Sequence, residues 1–119
     1  MTDPRETTSL LSVQWSGYAE RHRDRTNLVL HAITVPLFMA GTLALLVGPW
    51  VGPWWSFLPG LLSMVGAVGA QGGGHRKEMP PAPFRSPLEA VLRLTAEQWV
   101  TFPRFVLSGG FARAWRDAA

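Results

Sequence analysis

The chain has 119 residues, of which 11 are Lys or Arg and 8 are Asp or Glu, giving a formal net charge of +3. That length predicts one small domain over 1–119, and a composition with 47% hydrophobic and only 16% charged residues argues against intrinsic disorder. The absence of cysteine excludes disulfides, thiolate zinc sites, iron–sulfur clusters and a cysteine nucleophile.

The charged residues are distributed unevenly along the chain. None of the 50 residues between Arg25 and Arg76 is Asp, Glu, Lys or Arg. A run of this length accommodates two membrane passes of about 20 residues each and a turn between them. It therefore predicts a transmembrane helical hairpin over 27–70. A soluble helical bundle with a very apolar core is the alternative.

Capping residues and helix-breaking residues predict the elements before and within this run. Residues 1–8 are expected to be a loose polar start, followed by an amphipathic helix from Ser9 to Arg23. Thr26 or Asn27 is expected to cap the first span, 27–47, whose 21 residues measure about 32 Å as a helix. A turn rich in Gly, Pro and Trp precedes the second span, 54–70, and three glycines at 72–74 are expected to end the hairpin.

The last third of the chain predicts a loop and one more helix. Four prolines within 79–87 indicate an ordered crossing loop. Ser86 followed by Pro87 is typical of a helix start, and the helix is expected to cover 87–107. Glu89, Arg93 and Glu97 recur every four residues and form a polar stripe on an otherwise apolar helix. Such a helix lies in a membrane interface or packs on the hairpin.

The predicted fold class is therefore all-α: a small membrane-embedded helical bundle built on a two-span hairpin with flanking amphipathic helices. Basic residues flank both spans, and the turn between the spans has none. The positive-inside rule then predicts that both termini are cytoplasmic. Because the basic residues lie beside an apolar run, membrane lipid is a better partner for them than nucleic acid.

The chain has three histidines, His22, His31 and His75. An antiparallel hairpin places the start of its first span and the end of its second at one membrane face, which brings the three to one depth. Neutral imidazole is a common metal ligand, and three protein ligands are usual where a metal keeps open positions. Without cysteine, such a site suits iron or zinc. Separate interfacial histidines that bind no metal are the alternative.

Two polar residues lie close to these histidines in sequence. Asn27 precedes His31 by four residues and shares its helical face, so its amide could orient a metal ligand or bind substrate. Glu78 follows His75 by three residues and is the only acid near it. We expect Glu78 either to bind the metal or to hold a histidine ring.

The order of these residues resembles the Mpo1-like family over roughly 15–107. The residues that carry the resemblance are Tyr18, His22, Asn27, His31 and Pro36 before the hairpin, and Gly74, His75, Glu78, Pro80 and Pro81 after it. The chain departs from the family pattern at Thr34, where glycine is usual, and at Glu78, which stands three rather than four residues after the histidine. These departures indicate a variant branch.

The resemblance implies an iron(II)-dependent dioxygenase that shortens 2-hydroxy fatty acids by one carbon, with a fatty acyl substrate and O₂ as partners. Carried over residue by residue, it makes the three histidines the Fe(II) ligands and Asn27 part of the same motif. Arg76 is the candidate for binding the substrate carboxylate. Two other functions stay open: a non-catalytic membrane protein that binds lipid or a partner, and a metal-dependent membrane hydrolase that uses zinc.

Overall fold

The computed structural model describes residues 10–78 and 83–118. Every element in this part of the chain is helical, which confirms the all-α class. The α-helices are α1 (Leu10–Trp15), α2 (Arg25–Leu46), α3 (Gly48–Val51), α4 (Phe57–Gly74), α5 (Pro87–Ala96), α6 (Phe102–Leu107) and α7 (Gly110–Asp117). Turns of 3-10 helix cover Ala19–Arg21, Trp54–Ser56 and His75–Lys77, and a π-helical segment, Glu97–Thr101, joins α5 to α6.

Helices α2 and α4 pack against each other as an antiparallel hairpin. A Cβ atom added to Gly41, late in α2, would lie 2.7 Å from the carbonyl oxygen of Gly60, early in α4. At the other end, a Cβ on Gly74 would collide with the side chain of Asn27. Glycine at these positions lets the two backbones approach closely. We call the end where α2 begins and α4 ends the histidine end of the hairpin.

The structure supports one candidate membrane span. Among the described residues, α2 is the one helix that is long and apolar enough to cross a membrane by length and composition. The second predicted span, 54–70, corresponds to a 3-10 turn followed by α4, which does not meet the same criterion. The hairpin is therefore a structural fact, and its two membrane passes stay a prediction.

The segment before α2 differs from its prediction. Helix α1 ends well before Arg23 because Gly17 adopts a left-handed φ of 76°, which continues no α-helix. The residue that caps α2 is Asp24 rather than Thr26 or Asn27. Its carboxylate accepts a hydrogen bond from the Asn27 backbone N–H at 3.0 Å. The predicted loose start, 1–8, lies outside the described residues.

The three glycines expected to end the hairpin form the last turn of α4, which ends at Gly74. The histidine end leaves no room for a side chain at Gly74, whereas Gly72 and Gly73 face open space in the described structure. Of the predicted crossing loop, 79–82 lie outside the described part, and 83–86 are not helical.

The start of α5 is as predicted. Ser86 Oγ accepts a hydrogen bond from the Glu89 backbone N–H at 3.1 Å, and Pro87 occupies the first turn. The single helix expected over 87–107 is instead interrupted by the π-helical segment. Gly109 ends α6 with a φ of 85°, and the chain then forms α7, which was not predicted.

Buried amides join α4 to the π-helical segment beside the core. Gln71 and Gln98 exchange hydrogen bonds of 2.8 and 2.7 Å, and Gln71 also donates to Thr34 Oγ1 at 3.0 Å. Buried polar groups need such partners, so these bonds fix how the helices pack. The hydrophobic core beside them consists of Tyr18, Leu28, Val35, Phe102 and Phe105.

Candidate metal centre

The three histidines meet at the histidine end of the hairpin, as an antiparallel arrangement of the two helices requires. One ring nitrogen from each lies within 4.8 Å of the others. His22 follows the first 3-10 turn, His31 lies one turn into α2, and His75 follows α4. His22 and His31 are 1% and 0% exposed, and the partly buried His75 connects them to the protein surface.

Backbone carbonyls fix the orientation of two of the rings. His22 Nδ1 lies 2.7 Å from the Tyr18 carbonyl oxygen, and His31 Nδ1 lies 2.9 Å from that of Asn27. Because a carbonyl oxygen only accepts, each Nδ1 carries the proton and each Nε2 keeps a lone pair. This arrangement is typical of histidines that bind metals.

Three ring nitrogens in this cluster are buried and have no hydrogen-bond partner among the described residues: His22 Nε2, His31 Nε2 and His75 Nδ1. We call them the inward nitrogens. A buried polar atom without a partner costs roughly 1–3 kcal/mol, and native structures rarely contain several together. Three buried ring nitrogens of this kind fit a bound metal ion.

The cluster favours neutral imidazole, the form that binds metals. Burial, reinforced by the neighbouring His31, lowers the pKa of His22 from 6.5 to about 2. Burial also lowers the pKa of His75, and the charge of Glu78 opposes that shift. Both rings are therefore neutral at physiological pH.

A carboxylate that sequence reasoning placed on a surface stripe faces this cluster. Glu97 Oε1 lies 3.5 Å from His31 Nε2 and 3.8 Å from His22 Nε2. It accepts a hydrogen bond of 2.7 Å from the Tyr18 hydroxyl. Burial raises the pKa of Glu97 from 4.5 to about 7. The structure thus adds an oxygen donor to the three histidines.

Sequence reasoning missed Glu97 because the four-residue spacing assumed an uninterrupted α-helix. Glu97 begins the π-helical segment, where each turn holds an extra residue and the helical faces shift. The hydrophobic spacing of the sequence carries no signal that would have placed Glu97 at the histidines.

Asn27 and Glu78 lie beside the histidines and bind each other. Asn27 Nδ2 donates to Glu78 Oε2 at 2.8 Å. The same carboxylate accepts from the backbone N–H groups of Arg23 and Asp24 at 2.8 and 3.1 Å. Glu78 therefore links the end of the hairpin to the segment that follows His22, and so holds two of the histidine-bearing segments together.

A cavity of about 620 Å³ opens next to the histidines. Its volume lies in the usual range for small-molecule sites, roughly 300–1,000 Å³. Arg76, the predicted carboxylate-binding residue, lines it as an exposed residue. The other lining residues include His31, His75, Arg93 and Glu97, and the apolar Val68, Phe84 and Leu94.

The neutral histidines predict a pH-dependent stability. Unfolded histidines titrate near 6.5, whereas His22 stays neutral in the folded protein, so the unfolded state binds more protons below that pH. Stability of the metal-free protein should therefore fall as the pH drops through about 6.5. Thermal unfolding in detergent at pH 7.5 and 5.5 measures the effect.

The His22→Gln variant is the control for this pH effect. It should lose less stability than wild type between the two pH values. Because Glu97 titrates in both proteins, its opposite contribution cancels in the comparison. Equal losses of stability in the two proteins would show that His22 does not cause the pH dependence.

A protein-family model matches the part of the chain that carries this site. A family model described as "2-hydroxy-palmitic acid dioxygenase Mpo1-like" matches residues 8–105, a range that contains all three histidines together with Asn27, Glu78 and Glu97. No curated protein and no solved structure matches the chain. Because the family model covers most of the sequence, the chain belongs to the Mpo1-like family.

Proposed function

We propose that this protein is a dioxygenase of 2-hydroxy fatty acids that holds Fe(II) between His22, His31 and His75. The observation that carries the proposal is the set of inward nitrogens, which are buried, close together and without a partner in the described structure. The description of the family supplies the reaction class and the substrate class.

The reaction needs no second organic substrate. One 2-hydroxy acid and one O₂ balance against a carboxylic acid one carbon shorter, CO₂ and water. The hydroxy acid therefore supplies every electron that O₂ takes up, and 2-oxoglutarate is not required. When bound, Fe(II) would supply the redox chemistry and act as a Lewis acid for substrate oxygen.

The residues around the site prepare it for this chemistry. The carbonyl groups of Tyr18 and Asn27 keep both Nδ1 atoms protonated, which leaves the opposite nitrogens free for the metal. Glu97 adds a carboxylate that the Tyr18 hydroxyl orients. The apolar part of the cavity offers a wall for the alkyl chain and keeps water from it.

An oxygen-consumption assay tests the proposed activity. The anaerobically purified, iron-loaded protein should consume O₂ with 2-hydroxypalmitate and release a fatty acid one carbon shorter. Palmitate, which lacks the 2-hydroxyl, should support no consumption. Iron-loaded protein that leaves 2-hydroxypalmitate unchanged would reject the dioxygenase and leave the lipid-binding alternative.

Substitution of Asn27 should reduce turnover less than substitution of a metal ligand. Asn27→Ala removes the hydrogen bond to Glu78 and should lower turnover about 10–100-fold, the scale for residues that orient metal ligands. Asp24→Ala is the matched control, since it removes the cap of the same helix at a cost of about 1 kcal/mol. It should keep the rate, and equal rates in both variants and wild type would reduce Asn27 to a helix-start residue.

We propose further that the hairpin lies in a membrane, with its histidine end and both termini on the cytoplasmic side. The opposite end carries Trp50, Val51 and Trp54, which are 87%, 81% and 73% exposed. Apolar side chains exposed to this degree mark a contact with lipid or another partner. Further large apolar residues on the outside of α2 and α4 are Ile33, Leu43, Leu46, Leu62 and Val65.

Fusion of a reporter to each terminus tests this topology. A reporter that functions only in the cytoplasm should be active at either end of the chain. Activity restricted to an exported reporter, or full recovery of the protein in a detergent-free soluble fraction, would contradict the proposed membrane arrangement.

A further inference from the structure

Arg93 lines the cavity beside the histidines with a donor that no described residue accepts. It lies on α5, its side chain is 13% exposed, and it lines the same cavity as His31 and His75. Its Nη1 donates to the Pro83 carbonyl at 3.2 Å and to Glu89 Oε1 at 3.5 Å. Its Nε is buried and has no hydrogen-bond partner in the part of the chain that the structure describes.

We infer that Arg93 binds the carboxylate of the 2-hydroxy acid through this Nε–H, an inference that rests on the proposed function. In a guanidinium group, Nε–H and one Nη–H are parallel and match the two oxygens of a carboxylate. A guanidinium stays charged at any physiological pH, so the donor is permanent. A ligand carboxylate supplies the missing acceptor.

The surroundings keep Arg93 in place for such a ligand. The Phe84 ring stacks on the guanidinium, 4.5 Å from its central carbon, and the Pro83 carbonyl oxygen accepts from Nη1 at 3.2 Å. The Glu89 contact to Nη1 is longer, at 3.5 Å, and a partly exposed ion pair of this kind contributes little. Glu97, one turn further along, directs its Oε1 to Tyr18 and the histidines. The nearby acids are therefore engaged elsewhere, and the Nε–H is left for a ligand.

Arg93 suits this role better than Arg76, the residue that the sequence suggested. Both line the cavity, but Arg76 is exposed, and its charge is screened by water. A charge pair shielded from solvent interacts more strongly than an exposed one. Val68, Leu94, His31 and His75 line the same cavity, so an acid held at Arg93 has both the histidines and an apolar wall within that cavity.

Binding of a soluble fatty acid tests the inference without turnover. We would titrate octanoate and its neutral methyl ester into the iron-loaded protein and measure binding by calorimetry. Arg93→Gln should weaken octanoate binding about 10–100-fold, the scale for a hydrogen bond to a charged group, and leave the ester unchanged. Arg93→Lys keeps the charge near Glu89 but lacks the Nε–H, so it should also weaken octanoate binding.

Two matched variants separate recognition from structure. Glu89→Gln removes the ion pair of Arg93 but not its Nε–H, and Arg76→Gln removes the exposed arginine; both should bind octanoate as wild type does. Unchanged octanoate binding in both Arg93 variants, equal losses for octanoate and ester, or a loss in Arg76→Gln instead would overturn the inference.

The outcome is independent of the proposed activity. A charge-specific octanoate site at Arg93 in a protein that does not oxidise 2-hydroxypalmitate would support the binding residue and reject the dioxygenase. Normal 2-hydroxypalmitate turnover in Arg93→Gln would support the dioxygenase and reject Arg93 as the carboxylate-binding residue.

Discussion

Glu97→Gln should lower oxygen-dependent turnover of 2-hydroxypalmitate by about 10²–10³-fold, the scale for losing one preorganised electrostatic partner. The amide keeps the size of the side chain and can still accept the Tyr18 hydrogen bond, but it lacks the negative charge that faces His22 and His31. Steady-state oxygen consumption of the iron-loaded variant measures the loss.

The metal-free fold should tolerate this change, because burial disfavours the charged form of Glu97, whereas a bound ferrous ion would favour it. Glu89→Gln is the control, since Glu89 belongs to the same stripe but pairs with Arg85 and Arg93 away from the histidines. It should retain wild-type turnover. Comparable rates in the two variants would show that the carboxylate of Glu97 has no part in the reaction.

Gly60→Leu should destabilise the protein by about 3 kcal/mol or more, beyond the ordinary range for an overpacked core. A Cβ at this position would lie 2.6 Å from the Gly41 carbonyl oxygen and 2.8 Å from the Leu45 backbone nitrogen. Backbone atoms cannot move aside as a flexible side chain can, so the two helices must separate. Thermal unfolding in detergent measures the change.

Gly66→Leu provides the comparison within the same helix. A Cβ there would meet no described atom within 4 Å, and leucine favours a helix more than glycine does by roughly 0.5–0.8 kcal/mol. This variant should be as stable as wild type or slightly more stable. Equal unfolding temperatures for the two leucine variants would contradict the close packing of α2 and α4.

Long-range geometry was predictable where it depended on one topological fact. The uncharged run indicated a helical hairpin, and antiparallel helices bring residues 31 and 75 to the same end whatever their detailed packing. Helical spacing placed Asn27 beside His31, but the group that orients the His31 ring is the Asn27 backbone carbonyl, whereas the side-chain amide binds Glu78. The hairpin inference requires no knowledge of side-chain positions.

Local changes in backbone conformation were not predictable from these patterns. The left-handed Gly17 that ends α1 could equally have been tolerated inside a helix, and the run of glycines at 72–74 does not reveal that Gly74 contacts Asn27 of the other helix. The π-helical segment leaves no signature in hydrophobic spacing, yet it is the element that brings Glu97 to the histidines. Arg93 was hidden by the same assumption of a regular surface stripe.

The iron content of the wild-type protein and of His22→Ala, His31→Ala and His75→Ala is the most direct test of the metal centre. After anaerobic reconstitution, wild type should hold one iron per chain, and each variant should hold about a tenth of that or less. Phe102→Leu opens space beside the His31 ring without removing a nitrogen, and it should retain iron. The same iron content in all of these proteins, or none in wild type, would contradict a metal site formed by the three histidines.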